Sequence, residues 1–157
     1  MISMLLPKLT IYTDGACSGN PGKGGWGAIL LYQTKDKTGQ TKTLKKCISG
    51  GEEYTTNNKM EMTAVIEALK LLKKPCEIEL FTDSKYVLEG STKWLSGWIQ
   101  KGWKGADKKP VKNQELWQEL VKLYEIHTIN WHWVKGHSSD ILNNEVDALA
   151  RKECGTI

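Results

Sequence analysis

An α/β fold built on a mixed sheet of about five strands is the class that the sequence predicts, and three observations predict it. Strand-like runs separated by turn residues fill roughly the first third of the chain. The hydrophobic period then lengthens to that of a helix between Asn58 and Lys73, and Pro75 ends it. Beyond Pro75, short apolar strand runs alternate with helical faces.

Leu9–Thr13, rich in β-branched and aromatic residues, predicts the first strand. From Asp14-Gly15 to Pro21-Gly22-Lys23-Gly24-Gly25 the chemistry is that of a loop. Trp26–Gln33 predicts a second strand, Lys37–Gln40 a turn and Thr41–Gly50 a third strand, an antiparallel meander. In the helix that follows, Met62, Val65, Ile66, Leu69 and Leu72 fall on one side. Ile78–Thr82 predicts a short strand, Ser84–Glu89 a helix, and Asn113–Tyr124 a helix with Leu116, Leu120, Leu123 and Tyr124 on its face. Thr128–Val134 is the last predicted strand and Ile141–Lys152 the last helix. No internal repeat or low-complexity run divides the 157 residues, so one domain is expected over 1–157.

Composition excludes several classes. With 39% hydrophobic and 25% charged residues, the chain has the balance of a globular domain. At this length roughly 70% of the unfolded surface is buried on folding, so no disulfide framework is needed. Cys17, Cys47, Cys76 and Cys154 match no metal or redox spacing and are expected to be buried, reduced thiols. No run approaches the roughly 20 apolar residues of a membrane span, and Met1–Leu6 is too short for a secretory h-region, which points to a cytoplasmic protein without membrane association.

Charge is concentrated. The 22 basic and 18 acidic residues leave +4, yet seven lysines between Lys85 and Lys112 face only Glu89 and Asp107, a local +5. Such a run is ordinarily a solvated face. Here Trp94, Trp98 and Trp103 interleave with the lysines, a pattern suited to a sugar-phosphate backbone, since ammonium groups neutralise phosphates and indoles pack on sugars or bases.

Four carboxylates could carry chemistry. Each has an ordinary reading: Asp14-Gly15 as a turn, Asp83 or Ser84 as a helix cap, Asn58-x-x-Glu61 as a capping box, Asp147 as a helix-surface acid. Asp14 and Asp83, however, both follow strands, where sites form in α/β sheets. Converging carboxylates persist only if neutralised, and oxygen donors without a Cys or His quartet favour Mg²⁺ or Mn²⁺ over zinc. Two such ions about 4 Å apart can serve a phosphodiester displacement. His137, after the flexible Gly136, suits proton transfer, whereas His127 and His132 lie in or beside a strand and read as structural.

The chain resembles bacterial-type ribonuclease HI from about Leu9 to Glu153. Tyr12-Thr13-Asp14-Gly15-Ala16-Cys17-Ser18-Gly19-Asn20-Pro21-Gly22 resembles the family's first-strand motif, and Thr55-Thr56-Asn57-Asn58-Lys59-Met60-Glu61 its first-helix motif. Thr82-Asp83-Ser84, Trp133-Val134-Lys135-Gly136-His137 and Asn143 to Asp147 complete the set in order. The resemblance implies a ribonuclease H-like fold: three antiparallel strands, then parallel ones, with helices on both faces. It implies cleavage of the RNA strand of RNA-DNA hybrids, leaving 5′-phosphate and 3′-hydroxyl ends. Asp14, Glu61, Asp83 and Asp147 become metal-binding catalytic carboxylates for two Mg²⁺ ions, with Mn²⁺ able to substitute, and His137 the mobile proton carrier. Gly15, Cys17, Asn20 and Asn57 match groups that read RNA 2′-hydroxyls, and Thr56 and Asn113 a pocket for a DNA-strand phosphate. Residues 93–112, with Trp94, Trp98, Lys101, Trp103 and Lys104, resemble the basic handle that grips the hybrid. The implied protein is a monomer whose partner is the hybrid, with no obligate protein partner.

Three positions depart from the familiar pattern: Tyr54 and Lys59 stand where arginine is common and Lys85 where glutamine is. A lysine point charge lacks arginine's bidentate fork. Two other readings weigh against the leading one. A catalytically silent hybrid-binding module would not need all four acids and His137. A resolvase or integrase of the same fold fits the Gly19-Asn20-Pro21-Gly22 loop and the handle less well.

Overall fold

The computed structural model describes residues 6–135 and 140–155. Its centre is a five-stranded sheet in the order β3-β2-β1-β4-β5, formed by β1 (Lys8–Ser18), β2 (Gly22–Lys35), β3 (Thr41–Thr55), β4 (Glu77–Thr82) and β5 (Thr128–Trp133). β1, β2 and β3 pair antiparallel, while β4 runs parallel to both β1 and β5. The expected mixed sheet is therefore present.

The helices are α1 (Asn57–Lys70), α2 (Lys85–Glu89), α3 (Leu95–Gln100), α4 (Gln114–Ile126) and α5 (Ile141–Glu153). A π-helical segment, Gly90–Trp94, joins α2 to α3. Period-2 alternation places Leu9 and Ile11 of β1 against Met62, Val65, Ile66 and Leu69 of α1 and Trp117 and Leu120 of α4. The other face carries Tyr12 and Ile29, which pack on Val146 of α5. The sheet is thus covered on both sides, with α5 alone on one of them.

The opening differs from the sequence expectation. Asp14 is not in a loop after the first strand: β1 runs on to Ser18 and pairs Asp14 with Gly27 and Gly15 with Trp26. The glycines read as turn signals, but two of them serve close packing. A Cβ on Gly15 would lie 2.4 Å from the backbone nitrogen of Glu61, and one on Gly25 would lie 2.2 Å from the carbonyl oxygen of Ala150. Absent side chains let α1 and α5 approach the sheet from opposite sides. Only Gly19-Asn20-Pro21, with its cis Asn20–Pro21 bond, lies between the two strands.

Other boundaries moved. β3 extends to Thr55 rather than Gly50, and α1 ends at Lys70 rather than Lys73. The α1 cap is Thr56, whose hydroxyl accepts from the Lys59 N–H at 3.2 Å, so Asn58 and Glu61 do not form a capping box. All four cysteines are free, but only Cys76 and Cys154 are buried: Cys17 is half-buried, and Cys47 is exposed on the edge strand β3. His127 accepts a 3.1 Å bond from the Cys76 N–H inside the core. Among the described residues no helix is long and apolar enough to cross a membrane.

Candidate active site

Three elements bring carboxylates together. Asp14 is buried in β1, two residues past the core-facing Tyr12. Glu61 sits early in α1, brought in by the bare Cα of Gly15. Asp83 follows the last residue of β4. Ser84, not Asp83, caps α2: its hydroxyl accepts from the Val87 N–H at 3.1 Å, which leaves the Asp83 carboxylate to the site. One oxygen from each of Asp14, Glu61 and Asp83 lies within 4.8 Å of the others.

Asp147, on α5, interacts with the Asp14 carboxyl and pairs with Arg151 at 3.7 Å. The four acids expected from the sequence are therefore brought together. The Gly15 N–H donates to Asp14 Oδ1 at 2.9 Å and fixes that carboxylate.

Electrostatics reports the crowding. Burial, then the charges of Asp83 and Asp147, push the Asp14 carboxyl up to about 9. Glu61 is also raised well above the usual carboxylate range, by burial first and by Asp14 and Asp83 next. Glu61 Oε1 is buried without a hydrogen-bond partner among the described residues. Such a cluster calls for either protons or a cation, and its all-oxygen donor set fits a hard divalent ion.

The expected substrate-facing residues are spread over β1, the β1–β2 turn, the start of α1, the segment from Gly90 to Lys104 and the residue before α4. Gly15 is next to Asp14 in β1. The Cys17 thiol turns inward and donates to the carbonyls of Gly22 (3.5 Å) and Thr55 (3.4 Å). Asn20 Oδ1 accepts from the Asn57 N–H at 3.1 Å, tying the β1–β2 turn to the start of α1 beside Thr56. Asn113 holds a left-handed backbone (φ 61°) before α4 and donates its amide to the Tyr86 hydroxyl at 3.1 Å. Lys59 and Asn113 line one surface cleft with Thr63 and Gln114.

In the handle region, Lys101 and Lys104 are exposed. Trp98 and Trp103 pack against the core, and Trp94, Trp98, Trp117 and Tyr86 form one aromatic cluster. The indoles thus hold the handle to the body, and the ammonium groups face outward. Tyr54 is 75% exposed, and Lys85 Nζ lies 5.0 Å over the Trp133 ring. His137 lies outside the described residues.

Sequence reasoning did not single out Tyr12 or Asn143. The Tyr12 hydroxyl donates to Asp140 Oδ2 at 3.2 Å, and burial followed by the Asp140 charge pushes its phenol up to about 12. Asn143 is buried one turn before Asp147, and its Oδ1 has no hydrogen-bond partner among the described residues. For Tyr12 the available signal was its i−2 spacing from Asp14 on one strand face.

A mixed sheet covered on both faces, with carboxylates gathered where β1 and β4 deliver them, defines a nuclease class of hydrolase that works with divalent metal. The RNase H family pattern matches residues 7–155, and the chain belongs to the ribonuclease H family. It is 58% identical over 147 residues to the ribonuclease H of Agrobacterium fabrum, covering 94% of each chain. It is 56% identical over 146 residues to that of Bradyrhizobium diazoefficiens, covering 93% of this chain and 89% of the relative. Among solved structures it is similar to LC9-RNase H1, a type 1 RNase H with the type 2 active-site motif. That likeness has a TM-score of 0.86 and 31% identity, over 98% of this chain and 75% of the other.

Proposed function

We propose that this protein hydrolyses the RNA strand of RNA-DNA hybrids, leaving 5′-phosphate and 3′-hydroxyl ends, with Mg²⁺ held by Asp14, Glu61, Asp83 and Asp147. The observation that carries the reading is the convergence of three carboxylates within 4.8 Å, with Asp147 beside Asp14. Two ions fit the charge of four acids, and Mn²⁺ offers the same hard, oxygen-preferring chemistry. Bound metal supplies Lewis-acid stabilisation of the charge that builds on the reacting phosphate and acidifies water.

The chain's own groups do the rest. The Gly15 N–H and the Ser84 cap orient Asp14 and the start of α2, so the acids are set before substrate arrives. His137 carries a proton to the leaving group or from the attacking water. Gly15, Cys17, Asn20 and Asn57 contact RNA 2′-hydroxyls, which distinguishes RNA from DNA at the cut strand. The inward thiol of Cys17 helps fix the turn that presents Asn20. Thr56 and Asn113 hold a DNA-strand phosphate. Trp94, Trp98, Lys101, Trp103 and Lys104 form the handle on the DNA backbone, where the lysines supply charge and the indoles supply rigidity. We further infer one domain over 1–157, acting as a monomer in the cytoplasm without an obligate protein partner.

The test is incubation of labelled RNA-DNA hybrid, double-stranded RNA and single-stranded RNA, each with Mg²⁺ and with chelator. Cleavage confined to the RNA strand of the hybrid, and abolished by chelator, is expected. Binding without cleavage would instead support a silent hybrid-binding module.

A further inference from the structure

Below the acidic cluster lies an aromatic ladder that crosses three strands. Tyr12, Phe81 and His132 occupy register-matched positions on β1, β4 and β5. Their rings stack in sequence, Tyr12 on Phe81 at 4.6 Å and 8°, and Phe81 on His132 at 4.5 Å and 14°. Side chains two residues apart on a strand share a face. Tyr12 therefore stands one step before Asp14, and Phe81 one step before Asp83. At the far end His132 Nε2 meets Glu79 Oε1 at 2.7 Å, which anchors the last ring.

Tyr12 also reaches out of the sheet. Its hydroxyl donates to Asp140 Oδ2 at 3.2 Å, across 128 positions of sequence. Asp140 is the N-cap of α5, and its other oxygen accepts from the Asn143 N–H at 3.1 Å. One carboxylate thus joins two tasks: it starts α5, the helix that carries Asp147, and it binds the strand that carries Asp14. The same residue ends the connection from β5 in which His137 falls in sequence. A phenol held rigid by stacking is a better anchor for that junction than a flexible side chain, because less freedom is given up in holding the bond.

We infer that Tyr12 is a positioning residue for catalysis: through Asp140 it sets the start of α5, and with it the placement of Asp147 relative to Asp14. The inference rests on the reading of the acidic cluster as the cleavage centre. Tyr12 itself touches neither substrate nor reacting atoms.

The test uses Tyr12→Phe, which keeps the ring in its stack and removes only the hydroxyl, and Asp140→Ser, which keeps a good N-cap but is too short to meet Tyr12. Each variant is assayed well below its melting temperature. On hybrid at saturating Mg²⁺, kcat falls about three- to tenfold in each, the range spanned by one ordinary net hydrogen bond, while KM is unchanged. The double variant loses no more than Asp140→Ser alone, since Tyr12→Phe removes only a bond that Asp140→Ser has already removed. Amide exchange at Asn143 and Asn144 accelerates in Tyr12→Phe, a readout that does not depend on activity. A merely destabilising change would leave kcat per folded molecule intact. Wild-type kcat and exchange in Tyr12→Phe, or losses that add fully in the double variant, would overturn the inference. If the unsubstituted protein leaves hybrid uncut with Mg²⁺, the hydrolase reading falls instead, and the exchange measurement still decides whether Tyr12 sets the start of α5.

Discussion

The missing side chain of Gly15 and the backbone of Glu61 occupy one space: a Cβ on Gly15 would lie 2.4 Å from the Glu61 nitrogen and 2.6 Å from the carbonyl carbon of Met60. Both atoms are backbone, so no rotamer change relieves the clash. The glycine that follows Asp14 in sequence is therefore also the point of approach that admits Glu61 to Asp14.

Gly15→Ala should push α1 away from β1. Overpacking at a rigid junction costs about 1–3 kcal/mol of stability. The larger effect is expected on kcat, because Glu61 moves relative to Asp14 and Asp83. Chemical denaturation and steady-state kinetics on the folded protein separate the two, and a fall in stability with unchanged kcat would show that the helix relaxes without displacing Glu61.

Asp14→Asn should abolish cleavage while stabilising the metal-free fold, and Asp83→Asn should abolish cleavage also. The sign follows from the shift. Asp14 titrates near 9 when folded against an ordinary 3.8, so the folded state holds the extra proton across that window. Its contribution to stability is full below about pH 4 and is lost as pH rises towards 9. In chelator, the melting temperature of Asp14→Asn should exceed that of the parent at pH 8, and the gap should close near pH 4. Adding Mg²⁺ should raise the parent's melting temperature at pH 8 more than the variant's. A gap that stays constant between pH 4 and pH 8 would remove the carboxylate cluster as its cause.

How much of this was legible in the sequence depends on the scale of the signal. The sheet, its meander and the helical faces followed from period alone, and the four acids from their motifs. The strand status of Asp14 did not, because glycine signals a turn and a close helix approach alike. The helical run from Lys85 to Gln100 was hidden beyond Glu89: Trp94 and Trp98 pack with Trp117 and Tyr86 and hold the chain helical through a π segment. Packing that joins residues about 20 apart leaves no local pattern. The Tyr12–Asp140 bond, across 128 positions, leaves even less.

His137→Ala should lower kcat by roughly 10² with little change in KM, at the low end for a proton-transfer group. Bulk water replaces part of an imidazole's work, so activity should fall without vanishing. An unchanged kcat at pH 7 would leave His137 without a catalytic role.

Replacing Lys101, Lys104 and Lys108 with Ala should weaken hybrid binding and spare chemistry. All three are exposed, and the loop that carries them is closed by the Lys104–Pro110 bridge and by the Val111 N–H bond to the Trp103 carbonyl at 3.0 Å. The scaffold therefore survives the substitutions, because the indoles and not the lysines pack on the body. For every phosphate that a lysine no longer neutralises, the slope of log K against log salt should flatten by roughly 0.7 to 0.9. KM should rise accordingly at moderate salt, and kcat at saturating hybrid should stay near the parent value, since an interaction of equal strength in ground and transition states does not change the barrier between them. A triple variant that loses kcat while keeping the parent salt slope would mean that these lysines are ordinary solvated surface and that the handle binds through other groups.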